Sequence, residues 1–213
     1  MKKLLLVFTG IFAVAAASAQ ISFSDLRLDV GGSYTMYKGD FGQNNAGAKI
    51  RFSLPVNEKA AFGLGFTYGF PIKTASEVML TGGSTVPSEF VYNFKTITLD
   101  GDYYFGGEKE EGMSVYASGR MGLVLVSMKE KIKGSIPSGQ QPVNQLEPVS
   151  ENGFTLGLSL GGQYAFGNAK LFADAGIVLP ANQVNGAYVD NVIPSHFAFN
   201  LGLRFSLFGG SGY

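Results

Sequence analysis

Apolar and polar residues alternate along most of this chain with a period of two. In "NGFTLGLSLGGQYAFG", residues 152–167, Phe154, Leu156, Leu158, Leu160, Tyr164 and Phe166 fall on one parity, and Thr155, Gly157, Ser159, Gly161 and Gln163 on the other. Successive side chains of a β-strand point to opposite faces, so this spacing predicts a strand with one apolar face and one small, polar face. The same pattern recurs at about 25–37 (Leu26, Leu28, Val30, Tyr34, Met36), 45–54 (Ala46, Ala48, Ile50, Phe52, Leu54) and 60–70 (Ala60, Phe62, Leu64, Phe66, Tyr68, Phe70). It continues in a stretch ending at Phe105 (Ile97, Leu99, Tyr103), then at about 113–126 (Val115, Ala117, Met121, Leu123, Leu125), 170–179 (Leu171, Ala173, Ala175, Ile177, Leu179) and 196–208 (Phe197, Phe199, Leu201, Leu203, Phe205, Leu207). Eight strands are therefore predicted.

No apolar-parity position in these segments carries a charge. A soluble sandwich wets its outer face, whereas hydrocarbon demands an uncharged one, so the apolar faces are expected to meet lipid. Aromatic residues gather at segment ends, as in Tyr68 with Phe70 and Tyr164 with Phe166, where an interfacial girdle would lie. After a brief first link, long and short connections alternate. Pro71 to about Glu89, Ser127 to Glu151 and Pro180 to about Ser195 read as long loops, with "PVNEK", "GGEKEEG" and "GNAK" as short turns between. The fold class is thus an all-β, up-and-down antiparallel transmembrane barrel of eight strands, with short periplasmic turns and longer extracellular loops.

Composition agrees. Glycine numbers 30, aromatic residues reach 13% and charged residues only 15%, below the quarter usual in soluble domains. A net charge of zero gives nucleic-acid binding no support. Lys2 and Lys3 precede an apolar run that ends in Ala17-Ser18-Ala19, the form of a cleaved secretory signal peptide over residues 1–19. Residues 20–213 then form a single barrel domain. The chain has no cysteine, which removes both a disulfide framework and a thioether lipid anchor.

The signal peptide ending in Ala-Gln, the eight segments and the closing strand "FAFNLGLRF" resemble the porin-like outer-membrane β-barrel proteins of the Bacteroidota. The resemblance implies the outer membrane of a Gram-negative cell envelope, with lipid and the barrel-assembly machinery as partners. The terminus departs from that pattern, since Leu207 holds the outward register where an aromatic residue is usual and "GGSGY" follows.

By parity, the inner face carries Asp25, Arg27, Asp29, Lys49, Arg51, Asp100, Asp102, Arg120, Asp174, His196 and Arg204. An eight-stranded barrel is just wide enough to be filled by side chains, and charges buried there must be paired, so a polar network that plugs the lumen is expected. Simple hairpin counting places Asp100 opposite Ser118 and diagonal to Arg120, and Arg51 and Lys49 opposite Gly63 and Gly65. The glycines of the third and sixth strands would leave room for charges from other strands.

His196 is the chain's one histidine, and its neighbour Ser195 must point to the opposite face, so the two do not make a hydrolytic pair. One histidine without cysteine argues against a transition-metal site, and no cofactor motif is present. The acidic turn "EKEE" reads as solvated. Lys38, Lys95, Lys129 and Lys131 continue the outward parity just past the apolar band, at the depth of lipopolysaccharide phosphates, with Glu89 as a neutralising neighbour of Lys129. The expected function is a non-enzymatic, structural or surface-interaction barrel that offers loops 71–89 and 127–151 to an unknown extracellular partner. A narrow channel is the alternative, and a lipid A-modifying enzyme a more distant one.

Overall fold

The computed structural model describes residues 25–37, 44–181 and 195–208. The predicted signal peptide and Lys38 lie outside the described residues. Eight strands run β1 (Arg27–Tyr37), β2 (Asn45–Asn57), β3 (Ala60–Met79), β4 (Thr85–Phe105), β5 (Gly112–Ile132), β6 (Val149–Phe166), β7 (Ala169–Pro180) and β8 (His196–Ser206). Each pairs antiparallel with its neighbour, and β1 pairs with β8, from Arg27 opposite Ser206 to Tyr37 opposite His196, so the sheet closes on itself. Closure leaves no strand edge within the ring, the condition for crossing a bilayer with strands.

The alternating apolar residues face outward. Leu158, Leu160 and Leu201 keep 63%, 64% and 59% of their surface exposed, while the opposite parity is buried. Tyr103 and Phe105 meet edge to face at 5.7 Å at one rim. A ring of leucine and phenylalanine side chains left this open has hydrocarbon as its natural solvent.

The connections at one end, the turn end, are tight. Glu58 and Lys59 join β2 to β3, and Gly167 and Asn168 join β6 to β7 as predicted, with Gly167 at φ 62° in the left-handed region that glycine adopts without strain.

At the opposite, loop end, two expectations are corrected. Residues 71–89 are largely strand, because β3 continues to Met79 and β4 begins at Thr85, and the loop 127–151 is shortened to 133–148 because β5 runs to Ile132 and β6 begins at Val149. A spanning strand needs about 9–11 residues, so β3, β4 and β5, at 20, 21 and 21 residues, project well beyond the barrel wall as a three-stranded sheet. Val78, Leu80 and Val86 form a small core there with Ile132 packed against it. Residues 133–148 fold back on this sheet: the Val143 N–H donates to the Met79 carbonyl (2.8 Å), and the Thr81 N–H to that of Gln141 (2.9 Å). Glu130 is buried, accepting from Ser88 Oγ (2.7 Å) and the Leu146 N–H (3.0 Å).

The strand register also differs from hairpin counting. Asp100 lies directly opposite Arg120 and Asp102 opposite Ser118, while Arg51 faces Gly65 and Lys49 faces Thr67. The register of β2 with β3 shifts at an irregularity between Pro55 and Asn57, where proline has no N–H for the ladder. The β4–β5 connection bows into the barrel instead of closing at the shortest turn, carrying Glu108 with it.

Candidate functional site

The lumen is built in layers, from the turn end upward. Gly106 and Gly107, both at positive φ, swing the β4–β5 turn over the mouth of the barrel, and the Glu108 N–H is tied to the Glu58 carbonyl at 2.6 Å. The Glu108 carboxylate then points inward and takes Arg27 Nη1 (2.6 Å), Lys170 Nζ (2.7 Å) and Gln163 Nε2 (2.8 Å). Burial alone would push this carboxyl up, but Arg27 and Lys170 outweigh it and hold it at about 2. The "EKEE" turn is therefore not simply solvated: its first glutamate is a closing bolt. Asp25 lies half-buried just before β1, at this same end.

Above the bolt, Tyr104 and Tyr116 meet as a tilted pair with ring centres 5.5 Å apart beside Ala61, and Arg204 of β8 links Asp29 of β1 to Tyr104 of β4. Arg204, 2% exposed, grips both oxygens of Asp29 (2.7 and 2.8 Å) and donates to Tyr104 Oη (2.6 Å) and Gln163 Oε1 (2.7 Å). Such a two-point guanidinium–carboxylate pair is among the stronger polar contacts available to a protein. The network continues through Arg51 to Asp102 (2.7 Å), Arg120 Nε to Asp100 (2.5 Å) and Asn200 Nδ2 to Asp174 (2.7 Å). Arg51 also approaches Asp29 and Asp100, each at 3.4 Å.

The charged groups of this network come from β1, β2, β4, β5, β7 and β8. The two remaining strands, β3 and β6, supply space. A Cβ on Gly63 would overlap the Arg51 guanidinium, one on Gly65 would lie 2.5 Å from Thr98 Oγ1, and one on Gly161 would lie 2.5 Å from the Tyr116 ring. Glycine on the inner parity of "AAFGLGFTYG" and "LGLSLGGQ" thus makes room for side chains from the adjacent strands, and at Gly161 the guest is a tyrosine rather than a charge.

Of the inner-face residues expected from parity, Arg27, Asp29, Arg51, Asp100, Asp102, Arg120, Asp174 and Arg204 are joined by ion pairs. Lys49, by contrast, is buried and inward-facing but within 4 Å of no described carboxylate. It borders a cavity of about 70 Å³ on the loop-end side of the network. His196 lines the upper part of that cavity, 5.3 Å from the Tyr37 ring. Glu108 escaped the sequence reading because it sits in a turn; the signal for it was the glycine pair before it.

The rim lysines are arranged by the sheet extension. Lys95, Lys129 and Lys131 are exposed on the outward face. A register shift between Gly69 and Ile72 reverses the parity of β3, so Lys73 also points outward, in one cross-strand row with Val91 and Lys129. The expected Glu89–Lys129 contact is corrected: Glu89 lies opposite Lys131 and binds Lys133 Nζ at 3.0 Å, which holds its carboxyl below the usual range.

No protein-family model and no curated protein sequence matches the chain. Solved structures do. Neisserial surface protein A superposes with a TM-score of 0.57 at 14% identity, covering 86% of this chain and 97% of that one. A major outer membrane protein from Thermus thermophilus gives 0.53 at 14% identity, covering 84% and 98%. The fold is that of small eight-stranded outer-membrane β-barrels.

Proposed function

We propose that this chain is a non-conducting, non-enzymatic barrel of the outer membrane, a rigid stem that holds the β3–β4–β5 sheet outside the cell to meet a partner. The observation that carries this reading is the closed turn end: the Glu108 bolt, the Tyr104–Tyr116 pair and the arginine–aspartate network fill the lumen in succession. Moving any of these charges aside means separating buried ion pairs, each costly to break. In this reading the turn end faces the periplasm, the signal peptide delivers the chain for export, and the assembly machinery inserts it, as in the Bacteroidota barrels it resembles. A loop that is mostly sheet, with its own apolar core, presents a fixed surface rather than a mobile tether, and that favours specific recognition.

The lysines Lys73, Lys95, Lys129 and Lys131 fit contact with lipopolysaccharide phosphates at the level where the sheet leaves the bilayer. Planar-bilayer recordings test the closed stem: the purified protein should add no steady conductance above the lipid background, and a solute-dependent conductance would overturn it. Replacing the four lysines by glutamine should remove the salt-sensitive stabilisation that lipopolysaccharide gives the parent; unchanged stabilisation would reject the phosphate contact.

A further inference from the structure

The cavity on the loop-end side of the network differs in chemistry from everything beneath it. The three arginines Arg51, Arg120 and Arg204 and the four aspartates Asp29, Asp100, Asp102 and Asp174 bond to one another, while among the residues that line the cavity the charged side chains are two cations, Lys49 and Arg120. Asp100 is turned away, its oxygens taken by Arg120 Nε (2.5 Å) and Thr98 Oγ1 (3.0 Å), and Asp174 is engaged by Asn200. Lys49 is 5% exposed, borders the cavity, and has no hydrogen bond or ion pair among the described residues. Thr67 lies directly opposite Lys49, and Thr96 directly opposite Thr67, so an ammonium and two hydroxyls stand in one row across β2, β3 and β4. Neither hydroxyl has a protein partner among the described residues, and both line the cavity. Arg120 uses Nε on Asp100 and leaves its two terminal nitrogens without a hydrogen bond, Nη2 standing 4.0 Å from Asp174.

Asp100 and Asp174 offset the Lys49 charge only at a distance, without a hydrogen bond or close ion pair, and a buried ammonium that donates to nothing is normally satisfied by water or a ligand. The lining also holds an acceptor without a hydrogen bond, Asn45 Oδ1, but with two cations and no carboxylate among its side chains, and an apolar wall that includes Phe94 and Val124, the cavity suits an anion better than a cation. A cavity of about 70 Å³, against the roughly 10–15 Å³ needed to hold one water, is space for a group of a few heavy atoms.

We propose that this chamber is a binding site for a small oxyanion, a carboxylate or phosphate group, held by Lys49 Nζ, the terminal nitrogens of Arg120 and the hydroxyls of Thr67 and Thr96. The site is separate from the outward lysines and does not depend on whether the barrel conducts, because binding is read in detergent without a membrane.

The test is calorimetric titration of the refolded, full-length mature barrel with sodium phosphate and, separately, sodium acetate, at ionic strength fixed with sodium chloride. Saturable one-to-one binding of at least one ion is expected, weakened tenfold or more in Lys49→Met and several-fold in Thr67→Val; which ion binds distinguishes the two sources of the oxyanion. Heat-dependent gel mobility checks that each variant is folded. Should Lys49→Met fail to fold, the Thr67→Val/Thr96→Val double variant carries the test with the same expected loss. Absence of saturable binding by both ions, or affinity unchanged in the folded variants, overturns the site.

Discussion

Arg204 is the side chain on which the closed lumen most depends, and replacing it by methionine, which keeps much of the stem and removes the charge, measures that dependence. The change deletes both bonds to Asp29 and those to Tyr104 Oη and Gln163 Oε1, together with the guanidinium's position 5.6 Å from the centre of the Phe172 ring. Asp29 is left 2% exposed with Arg51 at 3.4 Å as its remaining ion-pair partner among the described residues. Removing one member of a buried ion pair costs about 3–5 kcal/mol, much of it the penalty of the stranded charge. The loss should therefore fall when the stranded partner goes too: because hydrophobic replacement of both members of a buried pair is often neutral or better, Arg204→Met with Asp29→Leu should recover most of the roughly 3–5 kcal/mol that Arg204→Met alone loses. The chain has no tryptophan, so urea unfolding in lipid vesicles is best followed by far-UV circular dichroism and heat-dependent gel mobility. A single-variant loss below about 1 kcal/mol, or a double variant no better than the single, would refute the view that this network is dry and tightly coupled.

Two further outcomes follow from the turn end and the sheet extension. In the folded chain Glu108 holds its charge down to about 2, against 4.5 ordinarily, so the unfolded chain takes up the proton first and acid removes the bolt's contribution between those values. Glu108→Gln should thus be less stable than the parent by about 1–3 kcal/mol at neutral pH, with the difference shrinking as pH falls from 4.5 towards 2; a pH-independent difference would show that the charge is not what matters. Leu80→Ala, in the small core with Val78 and Val86, should cost the extension about 2–5 kcal/mol and speed proteolysis within 80–84 or 133–148 at least tenfold, while the barrel keeps its heat-dependent mobility. Equal protease resistance would mean that residues 133–148 owe their order to something else.

The barrel was legible in the sequence because lipid enforces a strict contrast. From Phe154 to Leu160 every outward residue must be apolar, and every inward one small or polar, so parity alone separates the two faces of the wall. The extension was not legible, because above the bilayer the outward face of "PIKTASEVML" need no longer be apolar, the register shift after Gly69 flips the parity, and Pro71 and Pro87 read as breakers. Pairing partners failed by two residues at Asp100 and at Arg51, since register depends on how each turn is made, and neither the irregularity at Pro55 nor the inward bow at Glu108 leaves a mark in hydrophobicity. Lys49 illustrates the remaining limit. Parity places it inside, but only the packed lumen reveals that the aspartates are already engaged by others.

The central claim, that alternate residues of each strand face acyl chains and a filled lumen, is tested most directly along β6. Because the chain has no cysteine, single cysteines can be placed one at a time from 154 to 160 and spin-labelled, and collision with oxygen, which dissolves in lipid, compared with that of a water-soluble nickel chelate in reconstituted vesicles. Labels at 154, 156, 158 and 160 should meet oxygen freely and the chelate hardly at all, with labels at 155, 157 and 159 shielded from both. Equal accessibility at odd and even positions, or chelate reaching the outward leucines, would contradict the account.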